Sequence, residues 1–296
     1  MEIVARRRIR IKLELAIAGR DVFVVASGLG LREDARAADT MFSLMLCHAQ
    51  KGSSCEAALL AALALVLAEC RIGFAQEPCR YQTNVVEGWT VVLNERLLAN
   101  EKAATEKALE ILRGQLREIV RAAPARAVAK LREVTLWFSP EYPGVKPKAE
   151  YHPGAGWLRD HGRDPAMVEG IEFTDVRNFE SEARRMPNFT LHELAHAYHH
   201  RVLPDGFDNK EIKAAFERAR ANKLYERVER WFGNGKPNTF ERSYAMTNPQ
   251  EYFAESTEAY FARNDFFPFT REELKRHDPA MEELLGKLWG ATQSSR

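Results

Sequence analysis

Beyond Gly88 the apolar positions change period, from near two to near 3.6, and so predict strands followed by helices. Residues 89–94 (WTVVLN), 134–138 (VTLWF) and 171–176 (IEFTDV) read as strands. Between the first two, Asn100 is placed to cap a helix over 101–121 that carries Leu109, Leu112, Leu116 and Val120 on one face. Glu150-Tyr151-His152 and Trp157-Leu158 flank Pro153-Gly154 and suggest a hairpin. Helical patterning then covers 189–201, 209–232, 249–263, 270–276 and 279–289. Strands first and helices later predict an α+β domain, with a small mixed sheet and a mainly helical C-terminal part.

The N-terminal part is different. Residues 9–15 alternate apolar and charged, as a half-buried strand does, and 57–68 (AALLAALALVLA) form an unbroken apolar run. That run is short for a bilayer span but fits a signal-peptide core, with Gly73-Phe74-Ala75 as a small-residue cleavage site. Met41 and Met45 would then be alternative starts, and residues 1–40 not native. The other reading is a buried Ala/Leu helix of a small N-terminal domain. The first predicts an exported protein, secreted or periplasmic, and the second a cytoplasmic one. Either way the chain divides near residue 80, with residues 1–80 as an extension and 81–296 as the working domain.

Composition narrows the class. Of 296 residues 45% are hydrophobic and 29% charged, ordinary values for a globular chain with a sizeable core. Lys plus Arg number 43 against 42 Asp plus Glu, a net charge of +1, so no global field points to nucleic acid or an anionic membrane. Cys47, Cys55, Cys70 and Cys79 all precede residue 80, which excludes a disulfide framework or a cysteine-based zinc finger in the later part.

The chemistry concentrates at His192-Glu193-Leu194-Ala195-His196, an H-E-x-x-H motif inside the predicted 189–201 helix. Positions four apart share a helix face, so both imidazoles can bind one zinc ion. Glu193 can take a proton from a metal-activated water. Pro187-Asn188 supplies a cap for the start of this helix, and Leu203-Pro204-Asp205-Gly206 ends it. Leu191, Leu194, Ala195, Ala197 and Tyr198 give it apolar packing.

A catalytic zinc takes a third protein ligand. The strongest candidates follow Asn248-Pro249, where Glu251 and Glu255 stand four apart. On one reading Glu251 binds the metal and Glu255 accepts the free N–H of a ligating histidine. On the other, Glu251 completes an N-cap with Asn248, and Glu251, Glu255 and Glu258 form a solvated acidic stripe. Of the remaining histidines, His199 reads as a partly exposed helix-end residue with a ligand role as the rival reading. His200 follows it, and His152, His161 and His277 lie in loop-like sequence.

Residues 188–261 resemble a known group. The H-E-L-A-H motif, followed by Tyr244-Ala245-Met246-Thr247-Asn248-Pro249-Gln250-Glu251-Tyr252-Phe253-Ala254-Glu255, is similar to the catalytic core of the anthrax lethal factor-like zinc metallopeptidases, part of the wider gluzincin group. The resemblance implies a zincin-like metallopeptidase fold with one Zn²⁺ per chain. It implies that Glu251 is the third ligand, Glu255 stands behind the ligands, and Tyr244 points its hydroxyl at the developing oxyanion. The 59-residue separation of His192 and Glu251 is longer than that pattern leads one to expect.

The expected function is an endopeptidase acting on a peptide or protein substrate. A strand upstream of the motif, with Ile171, Phe173 and Val176, would be the edge on which the substrate lies. Two other classes stay open: an inactive zincin-fold protein that binds peptides, and a zinc amidase acting on a non-peptide or cell-wall amide.

Overall fold

A computed structural model describes residues 11–18, 21–28, 80–174 and 176–291. The 57–68 run, the four cysteines and the expected export signal lie outside the described residues. By internal packing the chain divides between Glu77 and Pro78. In the first unit, β1 (Ile11–Ala18) and β2 (Asp21–Gly28) form an antiparallel hairpin in which Ile11 stands opposite Gly28.

The second unit is α+β, a five-stranded mixed sheet followed by a mainly helical part. β3 (Tyr81–Val86) and β4 (Trp89–Asn94) are joined at Glu87-Gly88, both with positive φ, the conformation a two-residue hairpin turn requires. Next come α1 (Glu95–Asn100), α2 (Lys102–Ala122), α3 (Ala125–Leu131) and β5 (Leu136–Phe138). β6 (Ala149–Tyr151), α4 (Ala155–Asp160), β7 (Ile171–Phe173) and α5 (Phe179–Arg185) follow. The sheet order is β3-β4-β5-β7-β6, with β4, β5 and β7 parallel and the outer pairs antiparallel.

The helical part comprises α6 (Phe189–Arg201), α7 (Lys210–Ala221), α8 (Pro249–Phe261), α9 (Arg271–His277) and α10 (Pro279–Leu288). A hairpin of β8 (Val228–Arg230) and β9 (Thr239–Glu241) interrupts it. The Trp289 ring, just past α10, stacks on Tyr198 of α6 at 4.0 Å and 14°. It also lies nearly parallel to the Phe253 ring of α8, at 5.9 Å and 6°. One indole thus ties the end of the chain to both helices that carry the motif residues.

Several expectations are corrected. Asn100 ends α1 rather than capping the long helix, whose first residue follows Glu101 without a side-chain cap; Asn94 caps α1, its side chain accepting from the Arg96 N–H at 3.0 Å. The buried face of α2 is Thr105, Ala108, Leu112, Gln115, Leu116 and Ile119, whereas Val120 is exposed. The face rotates because Gln115 is turned inward: it donates to Pro187 O at 2.9 Å and accepts from the Thr190 hydroxyl at 2.6 Å. No hairpin spans 150–158. β6 pairs with β7 instead, and 155–160 is helix. The helix expected over 209–232 stops at Ala221, because Lys223 takes positive φ and the chain turns into β8. Among the described residues no helix is long and apolar enough to cross a membrane.

Candidate metal centre

Local capping fixes both motif helices. Asn188 is fully buried, and its Oδ1 accepts from the Leu191 N–H at 3.1 Å. Its amide donates to Gln115 O and to the Glu118 carboxylate, each at 3.2 Å, so the start of α6 is anchored on α2. Asn248 caps α8 by accepting from the Glu251 N–H at 2.8 Å, with Pro249 in the first turn. Only half of the expected capping arrangement is made, because the Glu251 carboxylate turns to the histidines.

Three side chains converge between α6 and α8. His192 Nε2 and His196 Nε2 are 3.1 Å apart. Glu251 Oε2 lies 3.1 Å from the first and 3.3 Å from the second. Two ligands at about 2.0–2.1 Å from one tetrahedral ion stand about 3.3 Å apart, so the three atoms have the spacing of one face of such a site. The donor set also fits: two imidazoles and one carboxylate, with His192 4% exposed. These residues can hold a metal ion.

The charges around His192 are unusual for a buried residue. Burial pushes its pKa down, but hydrogen bonds to Glu251 and Glu258 and the charges of Glu258 and Glu193 outweigh that and hold it well above 6.5. Glu251 is held below its ordinary range, because bonds to both imidazoles outweigh its burial.

Glu193, the other fixed position of the motif, does not join this cluster. Its Oε2 accepts from the Tyr151 backbone N–H of β6 at 2.8 Å. Tyr151 also reaches α6 through its hydroxyl, 2.8 Å from His200 Nδ1. Tyr244 sits in a 3-10 turn ahead of α8, half exposed, its hydroxyl 3.5 Å from Glu251 Oε1. Partial burial and the Glu251 charge raise its pKa.

Other residues are placed differently from expectation. The carboxylate against His192 Nδ1 is that of Glu258, at 2.7 Å, while Glu255 Oε1 is 3.8 Å away. Neither belongs to a solvated stripe: Glu255 is 2% exposed and Glu258 0%. Burial, with Asp265 and Glu258 nearby, pushes the Glu255 carboxyl well up. The signal for Glu258 was present in the spacing, since Glu251, Glu255 and Glu258 stand at i, i+4 and i+7 on one helix face.

His199 is fully buried rather than partly exposed, packed between Phe207 and Phe253, and burial pushes its pKa down to about 3. It does not join the metal cluster. His152 is buried against Glu172, His161 stacks on Trp157, and His277 donates to Leu224 O. The strand carrying Ile171 and Phe173 is interior to the sheet, and both side chains are buried, as is Val176. The edge strand on the β7 side is β6, because the Pro/Gly-rich loop after β5 brings 149–151 back antiparallel outside β7. No protein-family model, no curated protein and no solved structure matches this chain.

Proposed function

We propose that this chain is a zinc-dependent endopeptidase. One observation carries the reading: His192 Nε2, His196 Nε2 and Glu251 Oε2 stand 3.1–3.3 Å from one another, within an H-E-x-x-H helix and its partner helix. Bound by these three, zinc would act as a Lewis acid and bring the pKa of a water toward about 7.

The other roles fall to the chain itself. Glu193 takes the proton of the attacking water and returns it to the leaving amine. Its anchor on the Tyr151 N–H fixes one carboxylate oxygen and so the direction of the other. The Tyr244 hydroxyl, 3.5 Å from Glu251 Oε1, donates to the developing oxyanion.

The edge strand supports a peptide over other amides. Lys148 O accepts from Thr174, and both backbone groups of His152 bond to the β7 side. By alternation the backbone groups of Ala149 and the carbonyl of Tyr151 face outward, beside Glu193. An extended peptide can add there as a sixth strand.

The deciding experiment measures zinc content and peptide-library cleavage for wild type, Glu251→Ala and Glu193→Gln. About one zinc per chain is expected in wild type and Glu193→Gln, with strong loss in Glu251→Ala. Cleavage is expected in wild type alone. Full zinc retention by Glu251→Ala, or undiminished cleavage by Glu193→Gln, would sink the reading. Zinc without cleavage of any peptide would point to a binding protein or a non-peptide amidase.

A further inference from the structure

We infer that Glu258 is the residue that positions His192 for the metal, the place that the likeness to the lethal factor-like enzymes gives to Glu255. The inference rests on the proposed zinc site. His192 presents Nε2 to the ligand cluster, which leaves Nδ1 facing the protein interior. There Glu258 Oε1 lies at 2.7 Å, the length of a charge-assisted hydrogen bond. Glu255 Oε1, at 3.8 Å, is beyond hydrogen-bond range.

The helix geometry explains the choice. Glu251 and Glu258 are seven residues apart, two turns along one face of α8. One helix therefore grips both nitrogens of a single imidazole, Glu251 at Nε2 and Glu258 at Nδ1. Glu258 is 0% exposed and its Oε2 has no hydrogen-bond partner, so neither water nor another side chain competes for the carboxylate. An Nδ1–H held this way fixes the tautomer whose Nε2 lone pair points into the cluster. Glu255 Oε2 is likewise without a partner, so Glu255 fills the space beside Glu258 without gripping the ring.

The test uses the full chain and zinc itself. Zinc affinity is measured by competition with a chromophoric chelator for wild type, Glu258→Gln and Glu255→Gln, with folding checked by circular dichroism. Glu258→Gln keeps an acceptor but loses the charge, and is expected to weaken zinc binding about 10- to 100-fold. Glu255→Gln is expected to change it less than about 3-fold, below the range for a residue that orients a ligand.

A second readout is the ¹⁵N spectrum of histidine-labelled, zinc-loaded wild type, which should show His192 protonated at Nδ1 only. A general loss of stability would not select that tautomer. Three results would overturn the inference: a larger loss in Glu255→Gln than in Glu258→Gln, unchanged affinity in Glu258→Gln, or an Nε2–H tautomer. If Glu258→Gln does not fold, Glu255→Gln and the tautomer decide. A wild type that binds no zinc overturns the endopeptidase reading as well; a wild type that binds zinc without sensitivity to Glu258 overturns this inference alone.

Discussion

The backbone N–H of Tyr151 donates to Glu193 Oε2 at 2.8 Å, so an edge strand of the sheet holds the fixed motif residue that is not one of the three clustered side chains. The Tyr151 hydroxyl meets His200 Nδ1, also at 2.8 Å. Glu193 and His200 are seven apart and share the face of α6 turned to β6, while His192 and His196 share the face turned to α8. One tyrosine therefore links strand and helix at two points.

Tyr151→Phe separates these two links, because it removes the hydroxyl and keeps the N–H. The lost bond should lower stability by about 0.5–1.5 kcal/mol and leave zinc affinity unchanged. Thermal melts and chelator competition measure the two quantities. A loss of zinc affinity comparable to that of a ligand variant would show that the strand acts on the metal site itself.

Tyr244 is half exposed and touches the cluster only through a 3.5 Å contact with Glu251, so its hydroxyl contributes little to the fold. If it donates to the oxyanion, Tyr244→Phe should reduce kcat about 10²- to 10³-fold, with KM and zinc content near wild type. Steady-state kinetics on any cleaved peptide will decide. A raised KM with unchanged kcat would reassign Tyr244 to substrate binding.

Zinc binding should displace protons. Bonds to Glu251 and Glu258 raise the His192 pKa against the opposing effect of burial, which favours the protonated imidazole in the metal-free protein. A ligating imidazole must be neutral. Titration calorimetry near pH 7, in buffers of differing ionisation heat, should therefore show release of about one proton per zinc. Affinity should rise with pH until the metal-free His192 is itself neutral. Binding heats that do not depend on the buffer would show that His192 is already neutral before the metal arrives.

The motif helix was largely legible in the sequence. Its bounds, 189–201, agree with the expectation because local signals set them: the Asn188 cap at one end and the Leu203–Gly206 stop at the other. The Asn248 cap of α8 was legible for the same reason. What escaped depends on long-range pairing. Nothing within 149–152 says that it is an edge strand, since its partner, β7, lies some 20 residues downstream. Gln115 turns inward only because Thr190 and Pro187 meet it. The spacing puts Glu258 on the face of Glu251, but that this face is buried against His192 follows only once α8 is laid against α6.

A largely buried ion group beside β6 bears on stability alone. The register of β6 and β7 sets Glu150 directly opposite Glu172, a like-charge pair that would weaken the sheet edge. Arg163 Nη1 resolves it by donating to both, at 3.1 Å to Glu150 and 2.7 Å to Glu172. The guanidinium is 6% exposed and lies over the rings of Tyr142 and Trp157, at 4.8 and 4.9 Å. Burial pushes the Glu172 pKa up, but bonds from His152 and Tyr142 and the Arg163 charge outweigh it and leave it below the ordinary value. A folded-state pKa below the unfolded one gives stability that is present above the unfolded value, about 4.3, and is lost as pH falls through the folded one. Glu172→Gln should therefore destabilise the protein at pH 7. The loss should be about 3 kcal/mol, the low end for stranding a buried charge, because Glu150 still pairs with Arg163. Urea midpoints for the two proteins should converge as pH is lowered below about 4. Curves that stay parallel down to acid pH would mean that Glu172 is already protonated in the folded protein.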